Sequence, residues 1–328
     1  MLSLRRIGVL TSGGDAPGMN ACVRAVVRTA IAHDLEVRGI RRGFEGLVEG
    51  DFVEMDGRSV SNIVQTGGTI LKSARCPRFR EEEGRAEAAR QVEEADIDAL
   101  VAIGGDGTFS GAQRFNAEHD VPIIGCPGTI DNDLFGTDET IGYDSALNTA
   151  IENIDRIRDT ADAHDRLFLV EVMGRDAGFI ALNSGIGGGA ELILIPETLT
   201  EISDVKERIH SLMTAQTRSS IVVVAEGASG VSGAAHLKDE LRSDSSFDEI
   251  DLRVCILGHT QRGGPPTARD RVLASRLGAA AIDALIDGHD SVMVGQVNGE
   301  LKLTSLGNIG NRKKTIDYEL LKLTQVLS

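Results

Sequence analysis

Short runs of aliphatic residues alternate with segments of helical periodicity along almost the whole chain of 328 residues. We predict strands at Ile7–Leu10, Glu36–Gly39, Ala99–Ile103, Ile123–Cys126, Leu167–Val172, Leu192–Ile195, Ser220–Ala225 and Val254–Leu257, and helices at Met19–Ala32, Gly84–Ala95 and Ile151–Ala161. This alternation is typical of βαβ units, in which successive strands lie parallel and helices cover the sheet. The sequence therefore predicts an α/β protein with mostly parallel sheets.

An internal similarity predicts two lobes of this kind. The segments Val9–Gly18 and Val170–Gly178 both read as a strand, a glycine turn, an Asp-Ala pair and a helix. The chain is also longer than the roughly 250–300 residues at which single cores stop growing. We expect two similar Rossmann-like lobes with an active site in the cleft between them; a chance likeness of two strand-turn-helix units is the alternative. The expected lobes are 1–140 with 255–305, and 141–254 with 306–328.

Composition limits the possible partners. The chain has 34 Lys+Arg against 50 Asp+Glu, and this net charge of −16 argues against a nucleic-acid or membrane surface built on bulk positive charge. Binding of phosphate would therefore depend on local arginines. The four cysteines form no CxxC pair, which favours thiols in a reducing compartment over a zinc site. Because no run of 18 apolar residues occurs, we expect a soluble, cytoplasmic protein.

Three glycine-containing loops with carboxylates follow predicted strands, at 11–20, 104–108 and 127–133. Glycine lets the backbone approach phosphate oxygens, while aspartate can hold Mg²⁺ or accept a proton, so this layout indicates phosphoryl transfer. The Gly-Gly-Asp-Gly-Thr of the second loop is not specific, since diacylglycerol and NAD kinases share it. In an extended segment Asp131 and Asp133 would share a face, as a base and a metal or orienting group. An Asx-turn with solvated carboxylates is the alternative.

Two further segments carry cations. Arg75 lies in a proline-containing loop that follows Gly67-Gly68, and it could reach a nucleotide phosphate or form an ordinary surface salt bridge. His259 and Arg262 follow the predicted strand Val254–Leu257, at the strand end where open α/β sheets bind ligands. A histidine there is often structural, but the pair beside glycines suits a phosphorylated hydroxyl compound.

Taken together and in order, the motifs at Ile7–Asn20, Gly104–Thr108, Gly128–Asp133, Met173–Arg175 and Gly258–Gly264 resemble those of bacterial-type ATP-dependent 6-phosphofructokinases. The resemblance covers nearly the whole chain and weakens only in the last ~25 residues, where tails can drift without affecting a site. It implies transfer of the γ-phosphoryl group of MgATP to the 1-hydroxyl of fructose 6-phosphate, giving fructose 1,6-bisphosphate and ADP. This is the committing step of glycolysis.

The resemblance also implies roles for individual residues. The catalytic group would be Asp131 as the base, Arg175 stabilising the phosphoryl group in flight, and Thr129 orienting the sugar. The substrate-binding residues would be Thr129, Ile130, Asp131, Arg166, Met173, Gly174, Arg175, Glu226, Arg253, His259, Thr260, Gln261 and Arg262. The ATP site would comprise Gly14, Arg75, Cys76, Asp106, Gly107, Thr108 and Gly111, with Asp106 and Asp133 near Mg²⁺. Arg166 and Arg253 would reach the 6-phosphate of the adjoining subunit, which implies a homo-oligomer, a homotetramer in this family.

The phosphoryl donor is expected to be ATP. Pyrophosphate-dependent relatives carry Asp in place of Gly107 and Lys in place of Gly128, whereas glycine leaves room for the α-phosphate. A pyrophosphate-dependent enzyme, a different sugar phosphate and an inactive regulatory paralogue remain as alternatives. An inactive paralogue should have lost Asp106, Asp131 or Arg175, and all three are present.

Regulation is where the chain departs from the family pattern. Arg24, Arg28 and Arg158 match basic residues of the family's effector site, and Glu191 matches its metal position. Three other basic positions are occupied by Gly57, Ala215 and Thr217, with Arg58 as a partial substitute. Each lost charge-assisted hydrogen bond is worth roughly 1.5–3 kcal/mol, so we expect ADP and phosphoenolpyruvate to act weakly. A local slip of the alignment near 57 or 215 is the alternative.

Overall fold

The computed structural model describes residues 4–163, 166–214 and 220–327. The strands are β1 (Arg6–Thr11), β2 (Glu36–Ile40), β3 (Phe52–Met55), β4 (Ala99–Gly104), β5 (Ile123–Pro127), β6 (Leu167–Val172), β7 (Leu192–Leu194), β8 (Ser220–Ala225), β9 (Leu252–Ile256), β10 (Val292–Val297) and β11 (Glu300–Ser305). The helices are α1 (Met19–Ala32), α2 (Phe44–Glu49), α3 (Glu82–Glu94), α4 (Asp106–His119), α5 (Tyr143–Asp162), α6 (Phe179–Gly187), α7 (Ile202–Thr214), α8 (Ala234–Arg242), α9 (Ala268–Ile286), α10 (Leu306–Asn311) and α11 (Tyr318–Leu327).

The described residues form two compact units. Unit 1 covers residues up to 130, 134–145 and 262–314, and unit 2 covers 131–133, 146–261 and 315 onward. These units differ from the expected lobes in the assignment of residues 131–133, 141–145, 255–261 and 306–314. Strand β9 pairs in parallel with β6, so residues 255–261 remain with unit 2. Helix α10 packs on α4, which keeps residues 306–314 in unit 1.

Unit 1 is built on a seven-stranded sheet in the order β11-β10-β5-β4-β1-β2-β3. Its five central strands run parallel, and the antiparallel strands β11 and β3 form the edges. All six residues of β4 are buried, as expected for a strand covered by helices on both faces. The chain leaves β1 toward β2 on one side and later returns to β4 on the other. The carboxyl ends of β1 and β4 are therefore the switch point at which such sheets bind ligands.

Unit 2 contains a smaller sheet in the order β7-β8-β6-β9, in which every pairing is parallel. Strand β8 is buried along its whole length. In both units a strand, a glycine-containing turn and a helix follow one another, as β1 and α1 and as β6 and α6. The α/β class with mostly parallel sheets, predicted from the hydrophobic pattern, is confirmed.

Some elements were missed by the sequence prediction. Strands β3, β10 and β11 were not predicted, and helix α5 begins at Tyr143 rather than at Ile151. A signal for the β10–β11 hairpin exists in Asn298-Gly299, both of which adopt positive φ values of 52° and 84°. Asn-Gly is the preferred pair for the tight turns that join antiparallel strands. Strand β11 was obscured because most of its side chains are exposed.

Cys22 and Cys126 are both buried, and all four cysteines are free thiols. A hydrogen bond with Cys126, together with burial, raises the pKa of the Cys22 thiol. Among the described helices, none is long and apolar enough to cross a membrane.

Candidate functional site

The loop after β1 is fixed to the strand beside it. The amide of Ser12 donates to the carbonyl oxygen of Ile103 at 3.0 Å, and the Thr108 hydroxyl donates to the carbonyl oxygen of Ser12 at 3.1 Å. Gly13 adopts a left-handed φ of 86°, which a side chain would disfavour. The first two glycine loops are therefore joined to each other at the switch point of unit 1.

The second loop opens directly into helix α4. Gly105 is the N-cap residue, and Asp106 and Gly107 form the first turn, with both exposed. The first amides of a helix have no intrahelical partner and lie at the positive end of its dipole, so this end suits an anion. No heavy atom lies within 4 Å of a Cβ built on Gly107, so the space beside this turn is open.

Two other predicted ATP-site residues of unit 1, Gly111 and Cys76, pack against the core cluster that contains Phe44 and Phe79. A Cβ on Gly111 would lie 3.2 Å from the Phe44 ring and 3.4 Å from the Phe79 ring, and these two rings stack with centroids 4.0 Å apart. Cys76 is half-buried, and burial, followed by a hydrogen bond with Glu45, raises the pKa of its thiol to about 11. It is therefore protonated at neutral pH.

The predicted nucleotide-binding arginine, Arg75, is exposed on the loop before a short 3₁₀ helix. Buried Arg85 fixes this segment, since it donates to the carbonyl oxygens of Phe79 at 3.1 Å and Arg80 at 2.7 Å and forms a two-point ion pair with Glu118. Arg85 thus anchors the segment that follows the loop, while the Arg75 side chain is exposed to solvent.

The third loop is held by the segment that precedes α5. The Ile141 amide donates to the carbonyl oxygen of Pro127 at 2.8 Å, and the Thr140 hydroxyl donates to the carbonyl oxygen of Thr129 at 2.6 Å. Gly128 and Ile141 form an isolated parallel bridge. Residues 127–129 therefore continue β5 beyond its last strand residue, with 140–141 alongside.

The geometry beyond Thr129 corrects one sequence prediction. Residues 129–133 are not extended, because the backbone bends at Ile130 and Asn132 has a left-handed φ of 54°. The alternation that would place Asp131 and Asp133 on one face therefore does not apply. Thr129, Ile130 and Asp131 are all buried, whereas Asp133 is partly exposed. Asparagine tolerates this backbone conformation better than most residues.

The two donor-selecting glycines differ in their surroundings. Gly107 faces open space, but a Cβ on Gly128 would lie 3.0 Å from Ile103 and 3.1 Å from Met19. The room that glycine was expected to leave for a nucleotide therefore exists at Gly107, while at Gly128 it is filled by the core.

In unit 2 a strained turn follows β6. Gly174 and Arg175 have φ values of 144° and 56°, and the Arg175 side chain is 72% exposed. The carboxylate of Glu226 accepts the amide of Arg175 at 2.7 Å and that of Gly174 at 3.3 Å. A left-handed non-glycine residue persists only where its surroundings enforce it. Glu226 thus fixes the Arg175 turn, a role that its prediction as a sugar ligand did not include.

Two predicted phosphate ligands of unit 2 share one carboxylate. Asp251 lies 2.7 Å from Nε of Arg166 and 2.7 Å from Nε of Arg253. Hydrogen bonds from these two arginines lower the pKa of Asp251. Sequence reasoning did not identify Asp251, although its position directly before β9, two residues from Arg253, could have indicated the pair.

The last predicted loop forms a 3₁₀ helix, Gly258–Arg262. His259 and Thr260 are exposed, but Gln261 is fully buried and its amide donates to the carbonyl oxygen of Gly258 at 3.1 Å. Gln261 therefore closes the turn instead of presenting its side chain to solvent. In unit 1, Arg262 donates to the carbonyl oxygen of Asp15 at 3.0 Å, with its guanidinium directly over Gly14.

Three of the predicted effector residues, Arg28, Arg158 and Glu191, bond to other groups of the protein. On α1, Arg28 donates to the carbonyl oxygen of Gly57 at 3.2 Å, and Arg24 lies one turn earlier. In unit 2, Arg158 bonds to Glu191 at 3.1 Å and to the carbonyl oxygen of Gly188 at 2.8 Å. The second oxygen of Glu191 accepts the amide of Ile221 at 2.6 Å. The positions Ala215 and Thr217 lie outside the described residues.

The chain matches the phosphofructokinase family over residues 6–285, and it belongs to this family. It is 56% identical to the ATP-dependent 6-phosphofructokinase 1 of Thermus thermophilus, over 99% of this chain and 100% of that protein. It is 52% identical to the ATP-dependent 6-phosphofructokinase 2 of Bacteroides thetaiotaomicron, over 100% of both chains.

Solved structures show the same fold. Phosphofructokinase from Saccharomyces cerevisiae matches with a TM-score of 0.86 at 36% identity, over 98% of this chain and 46% of the yeast chain. A pyrophosphate-dependent phosphofructokinase from Marinobacter aquaeolei matches with a TM-score of 0.86 at 22% identity, over 96% of this chain and 86% of that one. The predicted family and fold are confirmed.

We predict that Gly14→Ala displaces Arg262. The new Cβ would lie 2.2 Å from Nη1 of Arg262, and only the flexible side chain can yield. Because the resemblance assigns Arg262 to the 6-phosphate, the KM for fructose 6-phosphate should rise about tenfold, a change worth ~1.4 kcal/mol. Steady-state kinetics of Gly14→Ala, Arg262→Ala and the double variant would measure this. If the two substitutions have independent, additive effects on this KM, Gly14 does not act through Arg262.

Proposed function

We propose that this protein is an ATP-dependent 6-phosphofructokinase that transfers the γ-phosphoryl group of ATP to the 1-hydroxyl of fructose 6-phosphate. The observation that carries the proposal is the open, glycine-lined start of α4, where a Cβ on Gly105 would lie 3.4 Å from buried Thr129, in a chain from this family. The full-length similarity to proteins named ATP-dependent 6-phosphofructokinase supports the donor and the acceptor.

The nucleotide would be held mainly by unit 1. The first amides of α4 and the exposed guanidinium of Arg75 are suitable partners for its phosphates. Gly14, Cys76, Thr108 and Gly111 complete the proposed site. Of these, Thr108 acts through the backbone, since its hydroxyl already donates to Ser12.

The carboxylates of Asp106 and Asp133 would hold Mg²⁺. No group of three potential metal ligands occurs in the part of the chain that the structure describes. Mg²⁺ is usually bound through one or two carboxylates together with phosphate oxygens and water, so these two side chains would suffice. When bound, the ion neutralises charge that develops on the phosphoryl oxygens.

Asp131 would act as the general base. Its carboxylate is 7% exposed, so it is protected from bulk water near the proton that it would accept from the sugar hydroxyl. Thr129 and Ile130 would align that hydroxyl. Phosphoryl transfer requires charge neutralisation and alignment more than covalent help, which explains why a cation, Arg175, accompanies the base.

Unit 2 would bind the sugar phosphate. Met173, Gly174, Arg175 and Glu226 lie at the end of β6 and β8, and His259 and Thr260 are exposed at the end of β9. Arg262 of unit 1 would join them at the 6-phosphate. Gln261 would support this loop from its buried position.

A coupled assay of purified protein with fructose 6-phosphate, comparing ATP with pyrophosphate, tests the proposal. We expect turnover with MgATP and none above background with pyrophosphate. Turnover with pyrophosphate alone would favour the pyrophosphate-dependent class. No turnover with either donor would favour an inactive paralogue.

We predict that Asp131→Asn lowers kcat by ~10²–10⁴ and changes either KM by less than threefold, because the amide keeps the shape but cannot accept the proton. Steady-state kinetics give both parameters. Asp120→Asn is the control, since Asp120 is exposed and left-handed at the end of α4, where asparagine is well tolerated. A kcat for Asp131→Asn above a tenth of the wild-type value would remove Asp131 from this role.

We predict that Gly107→Asp raises the KM for ATP at least tenfold. The new side chain meets no protein atom within 4 Å of its Cβ, so the effect would come from its charge beside the nucleotide phosphates. Gly107→Asn has nearly the same size without the charge and should raise this KM much less. Equal kinetics for Gly107→Asp and the wild type would show that residue 107 does not face the nucleotide.

We also propose that the enzyme is a homotetramer whose subunits share active sites. Arg166 and Arg253 would bind the 6-phosphate in the adjoining subunit. Asp251 supports this role by holding both guanidinium groups at one end of the β6–β9 pair, where Arg253 remains 54% exposed.

Mixing inactive Arg253→Ala subunits with inactive Asp131→Asn subunits should then restore part of the activity, since hybrid interfaces can combine an intact base with an intact arginine. Activity is measured after subunit exchange has been verified by native mass spectrometry. The control mixes Asp131→Asn with the Asp131→Asn/Arg253→Ala double variant, which contains no intact base. No recovery in the first mixture would indicate that each chain builds its own site.

Weak regulation by ADP and phosphoenolpyruvate remains a prediction. It is supported by the residue types at three positions that are basic in the family, which are occupied here by Gly57, Ala215 and Thr217. The cytoplasmic location expected from the sequence also remains a prediction.

A further inference from the structure

Asp270 is a charged residue that no role above explains. It lies in the first turn of α9 and is 1% exposed. One carboxylate oxygen accepts the Gly142 amide at 2.8 Å, and the other accepts the amide and the hydroxyl of Ser145 at 2.8 and 2.6 Å. A buried carboxylate with three donors from another helix must have a structural or functional reason to be there.

The donors belong to the start of α5, which cannot cap itself. Gly142 precedes the helix with a φ of 102°, and a Cβ there would lie 2.6 Å from Ala16. The position therefore requires glycine, which has no side chain to accept the amides of the first turn. Asp270 takes the place of the missing N-cap side chain and also puts a negative charge at the positive end of α5.

Each of the helices α5 and α9 supplies hydrogen-bonding side chains to the first turn of the other. Thr267 is the N-cap of α9, and its hydroxyl accepts the Asp270 amide at 3.2 Å. In an ordinary capping box the acid three residues later would bond to the N-cap amide. Here the Thr267 amide donates to the Ser145 hydroxyl at 3.0 Å, and the Thr267 hydroxyl donates to Asp144 at 2.6 Å. The start of α9 and the start of α5 therefore fix each other.

This shared cap adjoins the segment that carries the proposed base. Residues 140 and 141 bond to Thr129 and Pro127, directly before Gly142. In unit 1 the path from Asp270 runs through the Gly142 hydrogen bond, back along the chain to Thr140, and through the Thr140 hydrogen bond to the carbonyl oxygen of Thr129, two residues before Asp131. Helix α9 also begins at Ala268, only six residues after Arg262.

We propose that Asp270 is a positioning residue for the reaction: by capping α5 it fixes the backbone of residues 127–129 and thereby the place of Asp131. This inference rests on the proposed function for its catalytic consequence. The carboxylate acts through the backbone and touches neither substrate.

The charge state of Asp270 is compatible with this role. Burial raises its pKa to about 6, with the nearby Asp144 carboxylate acting in the same direction and the hydrogen bonds from Ser145 and Gly142 opposing it. The group is therefore mainly ionised above neutral pH, where all three donors can bond to it.

Asp270→Asn tests the proposal, because its NH₂ group would replace one carboxylate oxygen and would face either the Gly142 amide or the donors of Ser145 without accepting a hydrogen bond. We expect a fall in kcat of at least tenfold and a change in the KM for ATP of less than twofold, measured well below the unfolding temperature of each variant. We also expect faster hydrogen exchange in a peptide that covers 124–130. Asp283→Asn is the matched control, since Asp283 lies on the same helix and is 60% exposed.

A folded Asp270→Asn protein with kcat within twofold of the wild type, or with unchanged exchange at 124–130, would overturn the proposal. If Asp270→Asn does not fold, Ser145→Ala weakens the same cap and should give a two- to fivefold fall in kcat with faster exchange; unchanged values would likewise overturn it. Failure of the wild type to phosphorylate fructose 6-phosphate would refute the proposed function. The exchange result would still show whether Asp270 fixes the backbone of residues 127–129.

Discussion

The parallel pairing of β4 with β1 and β5 is the constraint on which the candidate site of unit 1 depends. Parallel strands bring their carboxyl ends to one edge, and the register of β4 with both neighbours aligns these ends. The loops that follow these three strands are consequently neighbours. Bonds from Ser12 to Ile103 and from Gly128 to Gly104 continue the pairing into the loops themselves.

Glycine serves two different purposes in these loops. At Gly104, Gly128 and Gly14 a side chain would collide with protein atoms, so glycine permits close packing. At Gly107 it leaves space that no protein atom occupies. A substituent at Gly107 would extend into this space, where it would meet a bound ligand before it met the protein. The proposed donor preference therefore rests on Gly107 far more than on Gly128.

Three carboxylates in this protein hold other groups in place. Glu226 enforces the left-handed turn at Arg175, Asp251 joins Arg166 to Arg253, and Asp270 caps α5 from a different helix. Each of these interactions fixes a group in a conformation that local propensity alone would not maintain. Preorganisation of this kind reduces the reorganisation required in the transition state.

The sequence by itself determined the α/β class, the extents of α1, β6 and β8, and the residue types at the ends of the strands. These features follow from local periodicity and from glycine, which act within a few residues. It failed at β11, whose side chains are mostly exposed, and at the Asp131–Asp133 segment, where the left-handed Asn132 removes the expected alternation.

Only the tertiary structure decided which residues support the site. Nothing local connects Asp270 with Gly142, or Arg166 with Asp251, because these partners lie 128 and 85 residues apart in the chain. Exposure likewise differs within one short motif, since Gln261 is buried and His259 is exposed. Hydrogen-bond partners and burial are set by the packing of distant segments, and local patterns in a single sequence do not specify that packing.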